Sequence, residues 1–243
     1  MSFELTYHRF SECSILIEWP SEIDEKVLDD VLLFKNHIES CSIKSIVQVN
    51  NAYNSILVIY NVAIDNVNDK ILALKALYSE RVIKNKKTSK CWKVPVCYDG
   101  EFGLDLNEIS IQKNMSISDI ITLHSDTIYT VFFIGFLPGF LYLGGLDKRL
   151  CFPRKKSPRL HIKKGAVAIG GEQTGIYPNA SPGGWNIIGN SPLEFFNVNN
   201  DVPCFAKAGD KIQFVSVSRS RYNSILHEVI DGTYILESEV LDG

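Results

Sequence analysis

Four clusters combine residue types that can do chemistry with the glycines and prolines needed to hold them. The first, Tyr98-Asp-Gly-Glu-Phe-Gly-Leu-Asp105, sets Glu101 and Asp105 around a Gly-x-x-Gly turn. Glycine accepts positive φ there, and either carboxylate can orient a donor or serve as a base. The same residues also suit a plain capped turn leading into a helix. The second is His124-Ser-Asp126, just ahead of a strand-like run. An imidazole there can exchange protons near pH 7, against the alternative of a helix C-cap or a packed ring. The third runs Gly135-Phe-Leu-Pro-Gly-Phe-Leu-Tyr-Leu-Gly-Gly145 and on to Pro153-Arg-Lys-Lys-Ser-Pro-Arg159. It sets Arg154 and Arg159 within two proline turns, and guanidiniums fit a carboxylate or phosphate bidentately. The fourth, Gly170-Gly-Glu-Gln-Thr-Gly-Ile-Tyr-Pro178, offers Glu172, Gln173, Thr174 and Tyr177 on what reads as a glycine-rich loop. Gly183-Gly184 then lets backbone pass close to Trp185, which forms a wall or fills the interior.

Other chemistries are disfavoured. No G-x-x-x-x-G-K-[ST] phosphate loop occurs, so this chain is not expected to bind ATP by itself. The six cysteines (13, 41, 91, 97, 151, 204) include no C-x-x-C pair and none at zinc spacing with a His, so no metal site is expected. They read as reduced, mostly buried thiols of a cytoplasmic protein. The start, MSFELTYHRF, lacks the charged and apolar regions of a secretory leader. No apolar run approaches the ~18 residues of a membrane span.

Charge and glycine are concentrated together. Residues 135–189 hold 11 of the 16 glycines, with eight Lys or Arg against Asp147 and Glu172. That stretch carries +6 in a chain of net −3, leaving −9 for the rest. A mildly acidic total argues against general nucleic-acid binding, whereas a local basic, glycine-dense belt suits close approach of an anion.

The elements that must position these groups divide in two. A chain of 243 residues with 45% hydrophobic and 22% charged content is an ordinary globular protein of one or two domains. The spacing predicts a strand at Ser14–Trp19, then a helix capped by Ser21 with Ile23, Val27, Val31, Phe34 and Ile38 on one face. Strands follow at 45–49 and 55–60, and a helix at about 68–82. This order predicts a ferredoxin-like α+β domain over residues 1–88. Lys84–Lys90 reads as a polar linker. Beyond it, candidate strands at 91–97, 127–134, 166–169, 185–188, 211–217 and 233–237, with one short helix at 119–123, predict an all-β barrel or sandwich over residues 89–243.

GFLPGFLYLGGL, PRKKSPR, GAVAIGGEQTGIYP and SPGGWNIIG together closely resemble the 5-oxoprolinase B-subunit family. That family also takes in the KipI inhibitor of a sporulation kinase and subunit 1 of allophanate hydrolase-type proteins. The resemblance covers about residues 91–217; Leu104, where the family has Pro, and Glu172, where Gln is common, depart from it. It implies a cyclophilin-like barrel after a small α+β domain. It also implies a partner like the 5-oxoprolinase C chain and a third subunit, which together open 5-oxoproline to L-glutamate driven by ATP hydrolysis. ATP would be a co-substrate, with Mg, and no bound cofactor is expected. On that basis His124 is the expected proton carrier, oriented by Glu101 or Asp105. Arg154 and Arg159 are the expected anion contacts, and Gln173, Thr174 and Tyr177 would orient the ring amide. Phe136, Phe140 and Tyr142 are expected as exposed interface anchors. The alternatives the resemblance carries are an inhibitor whose partner is a sensor histidine kinase, and a carboxyl-transfer subunit of allophanate or urea metabolism. Fused relatives of the latter depend on biotin, and no biotin-carrier segment is expected here.

Overall fold

The computed structural model describes residues 3–21, 23–81 and 88–242, and the chain divides into two compact units, Met1–Lys87 and Thr88–Gly243. The first unit runs β1 (Thr6–Ser11), β2 (Ser14–Glu18), α1 (Glu25–Ser40), β3 (Ile46–Asn51), β4 (Ser55–Tyr60) and α2 (Val67–Glu80). Its antiparallel sheet has the order β1-β2-β4-β3, so β4 lies between the two strands that α1 connects. Helix α1 starts later than Ser21 because Asp24 is the better cap: its carboxylate accepts the N–H groups of Lys26 and Val27 at 2.7 and 3.4 Å. Val27, Val31, Phe34 and Ile38 are buried as the periodicity predicts, and Ile23 is exposed. Beneath them Asp30 is a buried carboxylate that accepts from Trp19 Nε1 (2.8 Å), Tyr78 Oη (2.5 Å) and Arg81 Nη2 (2.8 Å). With Arg81 Nε at 3.0 Å as well, four donors from three side chains satisfy a carboxylate that would otherwise be expensive to bury.

In the second unit Thr88–Lys90, read from sequence as linker, opens the strand β5 (Thr88–Val96); Lys84–Lys87 lie outside the described residues. The helices α3 (Leu106–Lys113) and α4 (Ile117–Asp126) follow. The strands β6 (Ile128–Ile134), β7 (Leu141–Gly144), β8 (Arg159–Ile162), β9 (Ala166–Gly170), β10 (Gln173–Ile176), β11 (Ser181–Gly183), β12 (Asn186–Asn190) and β13 (Lys211–Ser216) come next. Helix α5 (Arg219–Ile230) and β14 (Ser238–Asp242) complete the unit. Three α-helices make it mixed rather than all-β. The strand expected at 233–237 is a loop, and β14 begins after it.

Eight strands form one ladder in the order β12-β9-β10-β7-β6-β13-β5-β14, with β13 and β5 parallel and the other pairs antiparallel. Among the described residues this ladder does not close into a barrel. One isolated antiparallel bridge, Cys97 to Asn190, ties the end of β5 to β12 with N–H···O distances of 2.9 Å in both directions. Successive side chains on a strand point to opposite faces, and the core follows that rule. Leu141, Leu143, Val167, Ile169, Ile176 and Ile188 join the inner cluster with Tyr129 and Phe214. Phe140, Tyr142, Ala168, Tyr177, Trp185 and Ile187 form a second cluster on the other side of the same strands. Tyrosine and tryptophan there replace the polar residues an exposed sheet face normally carries.

Candidate functional site

The outer cluster is built around Trp185. Its indole packs edge-on against Phe140 (centroids 5.6 Å, 88°) and Tyr142 (5.9 Å, 79°), and Tyr142 stacks on Phe133 (4.2 Å, 10°). Glycine at 170 is what lets the indole come down onto the sheet: a Cβ there would lie 2.6–2.7 Å from three ring atoms. Tyr177 is buried, with its hydroxyl facing the backbone N–H of Trp185. Burial raises the Tyr142 and Tyr177 phenols, so both stay neutral at pH 7. Above the indole sits the Arg154 guanidinium, 5.5 Å from the ring centre. Arg154 is exposed, and among the described residues no carboxylate bonds it. A cation over an aromatic wall, free of any internal carboxylate, is a ready anion contact.

Arg159 is placed differently. Its Nη1 and Nη2 fork onto the Asp105 carboxylate at 2.8 and 2.7 Å. Lys155 Nζ adds 2.9 Å to the same carboxylate and 2.9 Å to Glu108, and the Ile187 N–H donates to Asp105 Oδ2 at 2.6 Å. Asp105 stands at the N-cap of α3 yet makes no side-chain cap bond, because these donors have taken its oxygens. Burial would raise this carboxyl, but the bonds from Arg159, Lys155 and the Ile187 N–H outweigh it and hold it below the usual carboxylate range. Arg159, expected at the substrate, is thus engaged by Asp105, and the expectation that Asp105 orients His124 is corrected, since its oxygens go to Arg159, Lys155 and the Ile187 N–H. The two residues hold each other, and they pin the basic segment that carries Arg154.

His124 lies on the inner face, fully buried and stacked on Phe214 (4.6 Å, 20°). Nδ1 is 2.7 Å from Tyr98 Oη and Nε2 is 2.9 Å from Thr174 Oγ1. The Thr174 hydroxyl gives its one proton to the Ala168 carbonyl at 3.0 Å, so it accepts from Nε2–H and Nδ1 accepts from Tyr98. Every proton is used and the relay ends on a backbone carbonyl. Burial depresses the imidazole pKa to about 3. His124 is thus a neutral core group in this structure, and the expectation of a proton carrier near pH 7 is corrected. Thr174 belongs to the same core network and cannot share a ligand with Gln173, because the supposed loop is a strand whose neighbouring residues face opposite ways. Glu101 is exposed and bonds Arg219 Nη2 at 2.7 Å, with Asp99 on the same guanidinium at 2.8 Å. It touches neither His124 nor the aromatic face. Phe140 is buried, Tyr142 half-buried, and only Phe136 of the three expected anchors is exposed.

Among the described residues no group of three His, Cys, Asp or Glu side chains is placed to hold a metal ion. A cleft of about 390 Å³ lies between Lys164, Leu193, Glu194, Tyr222, Leu226 and Ile230, and no candidate residue lines it. Among the described residues no helix is long and apolar enough to cross a membrane.

Against known proteins, the family model for the carboxyltransferase domain, subdomain C and D, matches residues 5–206. The B subunit of 5-oxoprolinase from Bacillus subtilis (strain 168) is 32% identical over 238 residues, 94% of this chain and 99% of that protein. This chain belongs to the 5-oxoprolinase B-subunit family. A crystal structure of TTHA0988 superposes with a TM-score of 0.72 at 28% identity, covering 84% of this chain and 40% of that one. Urea carboxylase of Kluyveromyces lactis superposes with a TM-score of 0.85 at 20% identity, covering 100% of this chain and 24% of that protein. At that identity the likeness is one of fold alone. For this member of the B-subunit family, the residues that sequence reasoning missed are Tyr98, the donor to His124, and Lys155, the second cation on Asp105. Tyr98 left a signal, a tyrosine heading the cluster that also carries Glu101 and Asp105. Lys155 left none beyond its place in the basic belt.

Proposed function

We propose that this chain is the B subunit of an ATP-dependent 5-oxoprolinase, working with a partner like the 5-oxoprolinase C chain and a third subunit to open 5-oxoproline to L-glutamate. The observation that carries this is the Arg154 guanidinium over Trp185, with no carboxylate on it among the described residues, on the segment that Asp105 fastens to the sheet. A lactam is a weak electrophile. Transfer of the ATP γ-phosphoryl group to its oxygen, releasing ADP, would make the ring carbon electrophilic; water would add there, the C–N bond would break as the nitrogen takes up a proton, and the acyl phosphate left behind would be hydrolysed to L-glutamate and phosphate. This chain's share of the work is to grip the substrate carboxylate with Arg154 and to wall the ring with Trp185 and Tyr142, excluding water. The cations and metal that such phosphoryl transfer needs are assigned to the companion subunits, since this chain carries no phosphate loop. Phe136, exposed beside the aromatic cluster and edge-on to Phe140 (5.7 Å), is assigned to the interface with a companion. The free thiols fit a cytoplasmic location. We read the two units as a ferredoxin-like and a cyclophilin-like domain, supported by the position of β4 between β2 and β3 and by the Cys97–Asn190 bridge.

The test is reconstitution with the companion subunits and measurement of ADP release with and without 5-oxoproline. Release that depends on 5-oxoproline and on this chain is the expected result. Release without it, or none under saturating substrate, rules the reading out. The match to the carboxyltransferase-domain family model favours a second reading, a carboxyl-transfer subunit acting on a urea-like amide. Substitution of urea or allophanate for 5-oxoproline in the same assay separates the two.

A further inference from the structure

Gln173 has an acceptor that nothing among the described residues uses. Its Oε1 is shut off from water and has no hydrogen-bond partner, although the residue as a whole is only half-buried. An unpaired buried acceptor is rare and unfavourable, so its persistence on a folded sheet calls for a cause. Its position supplies one. Gln173 pairs with Gly170 in the β9–β10 ladder, and Gly170 is the residue on which the Trp185 indole rests. Residues directly opposite in an antiparallel pair share a face. Gly175, two residues along the same strand, pairs with Tyr142. The carboxamide therefore belongs to the face that carries Trp185, Tyr142 and Arg154.

We propose that Gln173 is the specificity-determining residue of this face, pairing its carboxamide with the N–H and C=O edge of a cis amide carried by a small carboxylate ligand. A lactam holds its amide cis, so N–H and C=O point the same way, and a primary carboxamide presents the complementary pair. The ligand N–H meets Oε1, Nε2–H meets the ligand carbonyl, and Arg154 takes the carboxylate. The last torsion of a glutamine is broad, so the head turns to meet the ring without leaving its rotamer. A site built this way discriminates strongly against analogues that lack the N–H, because its acceptor is then left unpaired. The proposal rests on the 5-oxoprolinase reading and names the residue that selects the substrate's amide.

The experiment uses the reconstituted complex, with L-5-oxoproline as substrate and its lactone counterpart, ring oxygen in place of N–H, as competitive inhibitor. For Gln173→Ala the KM for 5-oxoproline is expected to rise about tenfold or more with kcat little changed, and the preference for lactam over lactone to shrink by a similar factor. Gln173→Glu keeps the side chain's length but loses its donors and adds a like charge, so it is expected to raise KM at least as much and guards against a folding artefact. Variants whose KM and lactam-to-lactone preference stay within twofold of the wild type overturn the proposal while leaving the 5-oxoprolinase reading intact. A wild-type complex that shows no 5-oxoproline-dependent turnover removes that reading, and this proposal with it.

Discussion

The two faces of strands β7, β9 and β10 carry residues of similar chemical promise and treat them in opposite ways. On the inner face, the imidazole of His124 has both nitrogens bonded, its ring stacked and its charge suppressed by burial. On the outer face, the Arg154 cation lies over Trp185 and, among the described residues, has no carboxylate, and the Gln173 amide keeps an unused acceptor. The residue type that looks most catalytic in the sequence is the one the fold has neutralised. Chemical competence belongs to groups left unsatisfied, and a strand's alternation decides which groups those are.

The largest expected effect bears on the ion cluster that pins the segment carrying Arg154. Asp105→Ala strips the partner from Arg159 and Lys155 at a carboxylate only 3% exposed, and should cost about 3–5 kcal/mol in urea unfolding. A loss below about 1 kcal/mol would reduce the trio to a surface pair. Its pH dependence has a definite sign: the folded carboxyl titrates below its ordinary 3.8. The stabilisation is whole above about pH 4 and disappears as pH falls through the lower, folded value.

Next comes the inner face. Because folding drops the imidazole from its ordinary 6.5 to about 3, the unfolded chain binds a proton across that interval and the folded one does not. Stability should therefore fall with acidification by about 1.4 kcal/mol per pH unit from this group alone. His124→Phe, which keeps the stacking, should flatten that slope and lower stability at pH 7 by leaving Tyr98 Oη without its acceptor. Equal slopes in the two proteins would mean that His124 is protonated in the core. Smaller is the outer-face effect: Arg154→Ala should raise the KM for 5-oxoproline about tenfold in the complex and leave the melting temperature of the chain unmoved. A variant that melts early would give Arg154 a structural part instead. Glu101→Gln should change neither turnover nor melting, since its Arg219 keeps Asp99. A fall in turnover would return Glu101 to the site.

Much of this was legible beforehand, for identifiable reasons. The apolar face of α1 and the strands β2 and β4 follow from simple periodicity. The dense glycine and arginine motifs announce their family. Strand β1 was illegible because it is an exposed edge with only Tyr7 half-buried, and such strands show no alternation. Helix α3 was half-legible as the sequel to a capped turn, whereas α5 buries only Tyr222 and Ile225 and leaves little stripe to read. The site itself turned on pairs that spacing cannot disclose. Asp105 meets Arg159 across 54 residues and His124 meets Thr174 across 50. With two glycines near it and polar residues within it, Gln-Thr-Gly-Ile gave no sign that it was a strand, so the separation of Gln173 from Thr174 was hidden.

The aromatic loop after β6 holds one more lesson. Phe136 has φ +65°, and the Leu137 N–H reaches back to the Gly135 carbonyl at 2.8 Å, which closes a three-residue turn of the unfavourable hand. Glycine flanks the position at 135 and 139, so the chain had the more tolerant residue close by and kept a 64% exposed ring instead. A monomer selected only for its own robustness would relax that bend. Keeping it holds the chain slightly off its optimum, in exchange for presenting an aromatic ring to solvent at the position assigned above to a companion interface.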